Sequence, residues 1–472
     1  MSTETRTFDA QALWQKDKDH FIHPFTDYSL FHEKGCDLIT DSDGIYVEDV
    51  HGNRFIDGIA GLWCVNVGHG RAEIGQAMAE QATRMAYFST FNNLSNAPAA
   101  ELAAKLAELA PENLNHVFFS SGGSAANDAT VRLVHYVFNR LGKPSKKRIL
   151  SRRNAYHGTT YLAATLTGIE SNNWDFDTLD HLVTHLSEAN LYRRPKGMSE
   201  AEYCNHLVAE LEESITEIGA DNIAAFIAEP IMGAGGVLMP PQGYHARMQA
   251  VCRANGILFI ADEVVTGFGR LGHFFASEAV FDTQPDIINC AKGLSSGYAP
   301  LGATLISDEL FEVLGTPQRK GGVLSTGFTY SGHPVSCAAA LKNIEIIERE
   351  GICANVREVG PYLEHKLKTL ADHETVGDVR GSHFMLAIEN VADKATKELL
   401  PVEARVGDRV AAEAQKRGLI IRPVGHLNIL SPPLIWDREV VDRVVAILDE
   451  AFAAATASLR ADDYLGTGGS ST

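Results

Sequence analysis

The sequence predicts an α/β protein with a large domain built on a mostly parallel sheet and a smaller α+β domain. Short apolar runs, typical of buried strands, alternate with helical patterns over residues 116–307. From about Glu345 onward the pattern changes to helices interleaved with short strands. The length of 472 residues also exceeds what one small domain needs.

The predicted organisation has four parts. They are an N-terminal segment that contributes to the small domain (1–60), the large domain (61–335), the C-terminal small domain (336–460) and a flexible tail (461–472).

Within the N-terminal segment, residues 44–49 and 53–57 predict a hairpin turned by His51 and Gly52. In the small domain the pattern predicts a helix over 403–417, closed by Gly418, and strands over 384–389 and 428–431.

The strands of the large domain end in polar residues. The predicted strands are 116–119, 148–151, 223–228, 257–261 and 302–307. Ser120, Glu229 and Asp262 each follow one of them directly. Ligands of open α/β sheets bind outside the carboxyl ends of strands, so we expect these residues to converge.

Composition limits the classes of partner. A formal charge of −19 disfavours nucleic acid and anionic membranes, which leaves small molecules and a second copy of the chain as expected partners. No apolar run reaches the roughly 18 residues of a membrane span. Seven scattered cysteines without a C-x-x-C pair, and a polar start lacking signal-peptide features, predict a cytoplasmic protein without disulfides or a zinc site.

Lys292 and Asp262 are the most informative residues. A lysine that bonds covalently to a carbonyl cofactor needs an acidic partner at the far end of that cofactor, and a strand-end aspartate can keep a pyridine nitrogen protonated. Burial beside a cationic ring would lower the pKa of Lys292 and make it nucleophilic. The pair predicts a pyridoxal 5'-phosphate enzyme, although Asp262 could instead form a buried ion pair with Arg270.

Gly123 and Ser124 are the candidate phosphate ligands. They open a helical pattern in which Val134, Val137 and Leu141 share a face, and a helix N-terminus favours an anion. The alternative is an ordinary turn with Ser121 or Ser124 as N-cap.

The two faces of the cofactor ring also have candidate residues. Val264 could pack against one face and Tyr156 could stack on the other. A lone tyrosine in a loop is otherwise more often a core or surface residue.

Two other motifs are weaker. Residues 293–297 match the G-x-S-x-G pattern of serine hydrolases, but without a strong strand before them. His181 and His185 are four apart on a possible helix, but the Glu of H-E-x-x-H is absent.

Together these motifs resemble the class III pyridoxal-phosphate aminotransferases, and within them the ω-amine to 2-oxo acid transaminases, over residues 23–451. The resemblance implies fold type I and places Lys292, Asp262, Tyr156, Gly123 and Ser124 at the cofactor.

The resemblance further implies an obligate dimer or dimer of dimers with shared active sites. Thr329, in the segment 327–334, would bind the phosphate of the neighbouring subunit. Trp63, Phe88 and Tyr156 would shape the substrate pocket, and Arg422 would bind the carboxylate of the oxo acid.

Three positions depart from the family pattern. Ala125 replaces a usual glutamate, and Met232 replaces a glutamine that bonds to the ring hydroxyl of the cofactor. Ala234 stands where the ornithine and 4-aminobutyrate branch has a glutamate, which favours the amine-type branch.

The expected reaction is therefore a two-step transamination with ping-pong kinetics. The donor would be a diamine, an ω-amino acid or a diamino acid such as 2,4-diaminobutyrate, and the acceptor pyruvate first and 2-oxoglutarate second. The alternatives are an aminomutase of the same fold and a non-catalytic cofactor-binding homologue.

Overall fold

The structure is a computed structural model that describes residues 8–316 and 322–465. The polar start at 1–6 and the part of the predicted tail from 466 onward lie outside the described residues.

Helices flank three sheets. The helices are α1 Ala10–His20, α2 Tyr28–Lys34, α3 Ala60–Trp63, α4 Ala72–Arg84, α5 Ala97–Leu109, α6 Gly123–Arg140, α7 Tyr161–Leu166, α8 Glu200–Ile218, α9 Tyr244–Ala254, α10 Asp308–Gly315, α11 Pro334–Arg349, α12 Ile352–Lys368, α13 Val406–Lys416 and α14 Arg438–Ala461. The strands are β1 Ile39–Asp43, β2 Tyr46–Asp49, β3 Arg54–Asp57, β4 His116–Ser120, β5 Arg148–Arg152, β6 Val183–Leu186, β7 Ile223–Ala228, β8 Leu258–Asp262, β9 Ile287–Cys290, β10 Gly302–Ile306, β11 Val376–Ser382, β12 Met385–Asn390, β13 Leu419–Ile420, β14 Arg422–Val424 and β15 Leu427–Leu430.

The central sheet has seven strands in the order β4-β10-β9-β8-β7-β5-β6. Strands β6, β5, β7, β8 and β9 run parallel to one another, and β10 is antiparallel to both of its neighbours. The prediction of a mostly parallel sheet is confirmed. Every residue of β7 is buried, as expected for a strand covered by helices on both faces.

The N-terminal hairpin is confirmed as the antiparallel pair β2 and β3. Strand β3 also pairs in parallel with β13, so a four-stranded sheet joins the beginning of the chain to residues near its end. A third sheet, in the order β11-β12-β15-β14, belongs to the C-terminal region. The boundaries of the four predicted parts stay a prediction.

Three local expectations were wrong. Helix α6 ends at Arg140, so Leu141 is 50% exposed whereas Val134 and Val137 are buried. Helix α13 begins at Val406, three residues late, because Arg405 has a left-handed backbone with φ of 45°. His185 lies on strand β6 and not on a helix.

None of the helices in 8–316 and 322–465 is long and apolar enough to cross a bilayer.

His245, on α9, generates a prediction about acid stability. The side chain is buried and its Nε2 donates to the carbonyl of Pro230 at 2.9 Å. Burial, assisted by the positive charge of Arg152, lowers its pKa from 6.5 to about 3. Between these values the unfolded chain binds a proton that the folded chain refuses, so this histidine lowers stability as the pH falls from 6.5.

We expect His245→Gln to remove about 2 kcal/mol of the stability lost between pH 7.5 and pH 5, since each pH unit below 6.5 costs about 1.4 kcal/mol. Urea unfolding at both pH values measures the difference. His206→Gln, at an exposed position on α8, is the matched control. An unchanged pH dependence in His245→Gln would contradict the prediction.

Candidate active site

Lys292 follows strand β9 and lies in a short 3-10 turn with a left-handed backbone, φ 44°. The amide of Asn343 holds this turn, because its Nδ2 donates to the carbonyls of Gly293 at 2.8 Å and Leu294 at 2.9 Å. A buried side chain on α11 therefore holds the turn that carries the lysine.

The environment of Lys292 favours the neutral amine. Burial lowers its pKa from the ordinary lysine value. The nearby Cys64, Asp262 and Glu229 act in the opposite direction, and the Arg422 cation adds to the lowering. No hydrogen bond from the described ranges contributes to this pKa, so the amine is available to react.

Asp262 ends strand β8 and is 4% exposed. Its Oδ2 accepts from Nδ2 of Asn127 at 2.8 Å and from Nδ1 of His157 at 2.7 Å. Its Oδ1 accepts from the backbone N–H of Val264 at 3.1 Å. A carboxylate accepts several hydrogen bonds at each oxygen, so Oδ1 keeps capacity for another donor.

The suggested ion pair between Asp262 and Arg270 is wrong. Arg270 is fully buried and donates to Oδ1 of Asn66 at 2.6 Å and to the carbonyl of Phe384 at 3.2 Å.

Glu229, at the end of β7, holds the Tyr156 loop. Its Oε1 accepts from the backbone N–H of Tyr156 at 2.9 Å, and its Oε2 from that of Gly233 at 2.8 Å. Burial raises the pKa of Glu229. Tyr156 is half-buried, and the ring of Phe25 lies edge-on to it with centroids 6.4 Å apart.

The N-terminus of α6 is open to an anion. Its N-cap is Gly122, without a side-chain cap, so neither Ser121 nor Ser124 is the N-cap. The first backbone N–H groups of a helix have no intrahelical partner. The Oγ of Ser124 accepts from the N–H of Thr159 at 3.2 Å.

Gly158 allows the loop after β5 to approach Ser124 closely at this anion site. Gly158 has φ of 125°, and a Cβ there would lie 2.3 Å from the Oγ of Ser124. Any other residue would strain the backbone and push Ser124 away.

These groups fit pyridoxal 5'-phosphate. Gly123 and Ser124 offer N–H groups and a hydroxyl for the phosphate, and Asp262 offers an acceptor for the ring nitrogen. Lys292 offers an amine for the aldehyde, and Val264 and Tyr156 offer apolar and aromatic surface for the ring. When bound, the cofactor supplies an electron sink for the substrate carbanion.

The remaining predicted site residues differ in exposure. Trp63 is 3% exposed and packs in an apolar cluster with Ile231 and Leu427, whereas Phe88 is 51% exposed. Thr329 is exposed, and its carbonyl accepts from the hydroxyl of Tyr87 at 2.6 Å.

Arg422 opens β14 and is half-buried. Burial lowers its pKa, and the nearby Tyr156 hydroxyl opposes the change. No ion pair from the described part of the chain contributes to this pKa. The guanidinium is therefore a partly desolvated cation without a counter-charge among residues 8–316 and 322–465.

Two departures from the family pattern lie beside these groups. Met232 is buried in an apolar cluster with Ala155 and Leu238. A thioether accepts hydrogen bonds only weakly and cannot donate, so it does not replace the amide of glutamine. Ala125 lies in the first turn of α6 and is half-buried.

The weaker motifs have structural roles. The Oγ of Ser295 donates to the carbonyl of Ala299 at 2.6 Å, and the Oγ of Ser296 accepts from the N–H of Val67 at 3.3 Å. No cluster of metal-ligating side chains occurs in the portions of the chain that the structure covers.

The fold and this set of groups define an aminotransferase that uses pyridoxal 5'-phosphate. The model of the aminotransferase class-III family matches residues 32–452. The chain belongs to this family.

Individual relatives of this chain are also aminotransferases. The chain is 41% identical over 460 residues to the putrescine–pyruvate aminotransferase of Pseudomonas aeruginosa, with 96% of this chain and 99% of the relative covered. It is 41% identical over 428 residues to the diaminobutyrate–2-oxoglutarate transaminase of Halomonas elongata, covering 89% and 91%. An (S)-enantioselective ω-transaminase from Thermomicrobium roseum superposes with a TM-score of 0.92 at 42% identity, covering 95% and 99%.

The predictions of fold type I, cofactor and reaction class are confirmed: the enzyme transfers an amino group from an amine to a 2-oxo acid. These relatives are transaminases and so favour neither the aminomutase nor the non-catalytic alternative.

Sequence reasoning missed several residues beside Asp262. His157 follows Tyr156 directly, and its place after a strand end was a usable signal. Asn127 and Asn289 gave no such signal, because their contact joins α6 to β9 across 162 positions.

We expect Lys292→Ala to bind the cofactor without a covalent bond and to lose turnover by at least about a thousandfold, since it loses both nucleophile and proton carrier. Borohydride reduction and peptide mapping of the unmutated enzyme should place the cofactor on Lys292. Lys146, also buried, with its Nζ on the carbonyl of Ala220, is the internal control and should stay unlabelled. Near-normal turnover of Lys292→Ala would refute the assignment.

Proposed function

We propose that the enzyme moves the terminal amino group of a diamine, an ω-amino acid or a diamino acid such as 2,4-diaminobutyrate to pyruvate, with 2-oxoglutarate as the second acceptor. The observation that carries the proposal is the half-buried guanidinium of Arg422, which lies near Tyr156 and Lys292. This guanidinium has no counter-charge among the described residues. A cation in this position suits the carboxylate of a 2-oxo acid.

The donor side of the proposal has a separate basis. A donor with a terminal primary amine and no nearby carboxylate leaves Arg422 unpaired, whereas a 2-oxo acid pairs with it. The same pocket must therefore accommodate Arg422 both with and without a bound carboxylate. Ala234 carries no carboxylate, whereas the ornithine and 4-aminobutyrate branch has a glutamate at this position, which favours a donor of the amine type. The two relatives, named for putrescine with pyruvate and for diaminobutyrate with 2-oxoglutarate, are equally identical to this chain and support the class of donor rather than one compound.

The proposal assigns each residue of the cofactor site a role. Lys292 carries the proton between the substrate and cofactor carbons, and Asp262 keeps the ring nitrogen protonated. Gly123 and Ser124 hold the phosphate, and Val264 and Tyr156 enclose the ring.

The substrate pocket needs a second set of residues. Trp63, Phe88 and Tyr156 shape it, and Arg422 binds the acceptor carboxylate.

A homodimer or dimer of dimers completes the proposed site, because Thr329 would bind the phosphate of the partner subunit. Thr329 is exposed, and the surface around it displays Tyr87, Phe88, Phe91 and Tyr330 as exposed aromatic side chains. An exposed apolar patch of this kind is typical of a protein interface.

The cytoplasmic location also stays a proposal. All seven cysteines lie in the described ranges and are unpaired, which suits a reducing compartment.

The proposed donor class is tested by adding primary amines one at a time to the cofactor-loaded enzyme without an acceptor, while recording visible absorbance. Putrescine, β-alanine and 2,4-diaminobutyrate should bleach the yellow band in the first half-reaction, and pyruvate should restore it. A yellow enzyme that none of these amines bleaches would refute the donor class. Restoration by 2-oxoglutarate alone would reverse the order of acceptors.

Arg422→Ala should raise the KM for pyruvate about a hundredfold, the factor expected when a charge-assisted bidentate pair is lost. The bleaching step with putrescine should keep its concentration dependence, because that donor has no carboxylate. Arg438→Ala, an exposed arginine at the start of α14, is the matched control. An unchanged KM for pyruvate would remove Arg422 from the acceptor site.

A further inference from the structure

A chain of buried side chains runs from Asp262 into the core behind the candidate cofactor site. Nδ2 of Asn127 donates to Oδ2 of Asp262 at 2.8 Å, and Oδ1 of Asn127 accepts from Nδ2 of Asn289 at 2.7 Å. Oδ1 of Asn289 accepts from the hydroxyls of Thr130 at 2.7 Å and Thr304 at 2.8 Å.

The direction of these hydrogen bonds is fixed. Nδ2 of Asn127 also donates to the carbonyl of His157 at 2.7 Å, and a backbone carbonyl can only accept. The amino group of Asn127 must therefore face Asp262 and His157, which leaves its oxygen facing Asn289. Asn289 must then donate, and its own oxygen must face the two threonine hydroxyls.

Burial makes this direction costly to reverse. The side chains come from α6, β8, β9 and β10, and the four beyond Asp262 are each at most 1% exposed: Asn127, Thr130, Asn289 and Thr304. A rotated amide in this region would place two oxygens against each other with no water to separate them.

We propose that Asn289, supported by Thr130 and Thr304, is a positioning residue that orients Asp262 through Asn127. We call Thr130, Thr304, Asn289 and Asn127 the relay. It keeps Oδ2 of Asp262 occupied by donors and leaves Oδ1 for the ring N–H of the cofactor. The inference rests on the proposed role of Asp262 and extends it to a residue that does not contact that carboxylate.

His157 completes the arrangement on the other side of Asp262. A carboxylate only accepts, so Nδ1 of His157 carries the hydrogen of their 2.7 Å contact. Its Nε2 is buried and has no partner in the described ranges. Oδ2 therefore receives one donor from His157 and one from the relay, and the relay donor depends on the orientation of Asn127.

The test measures the protonation of the cofactor ring directly. Holoenzyme is prepared with pyridoxal 5'-phosphate labelled with ¹⁵N in the ring, and its ¹⁵N resonance is recorded over a pH series. We expect Asn289→Leu to move the resonance toward that of an unprotonated ring and to lower the pH at which the ring loses its proton. The dissociation constant of the cofactor should rise about tenfold, as for the loss of one hydrogen bond to a charged group.

Matched variants separate the relay from general damage to the core. Thr130→Ser and Thr304→Ser keep the hydroxyls and should leave the resonance unchanged. The double variant Thr130→Val with Thr304→Val removes both hydroxyls at nearly constant shape and should shift it in the same direction as Asn289→Leu. This pair of variants decides the question if Asn289→Leu does not fold.

Asp262→Asn separates the relay from the role of the carboxylate. A shift in Asp262→Asn together with an unchanged resonance in folded Asn289→Leu, or in the double valine variant, would overturn the relay alone. An unchanged resonance in Asp262→Asn would overturn the role of Asp262 and the relay with it.

Discussion

A carboxylate buried at the end of a strand has to be supplied with donors, and most of the architecture around Asp262 can be understood from this requirement. The strand itself offers none, because its backbone N–H groups bond to neighbouring strands. The donors come instead from Asn127 on α6, from His157 beyond β5 and from the N–H of Val264. Helix α6 therefore packs on the sheet against β9 and β10, with Asn127 beside the end of β8, and its open N-terminus lies at the same end of the sheet.

Lys292 requires the opposite environment, one that does not stabilise its charged form. Asp262 is surrounded by donors, whereas Lys292 is partly buried and receives no hydrogen bond from the described residues that would stabilise its charged form. The turn that carries it has a left-handed backbone, which costs free energy in a residue other than glycine and persists because Asn343 holds the turn. A satisfied acid thus ends β8, and an unsatisfied amine lies in the turn that follows the adjacent strand β9.

Sequence reasoning succeeded where the information is local. The strand that ends at Asp262, the turn at Gly123 and the lysine after a buried run all follow from patterns of a few residues. It failed where a side chain depends on packing, since Leu141 follows the helical period and yet lies just past the end of α6. The contact of Asn127 with Asn289 is set by how a helix sits on a sheet, which no local pattern contains.

The pairing of β3 with β13 has a consequence for how the chain folds. Ile56 and Asp57 lie opposite Leu419 and Ile420 in this sheet, so the sheet cannot be completed until most of the chain has left the ribosome. Until β13 is available, the edge of β3 in the sheet of β1 to β3 stays unpaired while the central sheet forms. Contacts this distant in sequence slow folding, and an exposed edge invites association with other chains. The yield of native enzyme should therefore depend on synthesis rate and on chaperones more than its final stability suggests.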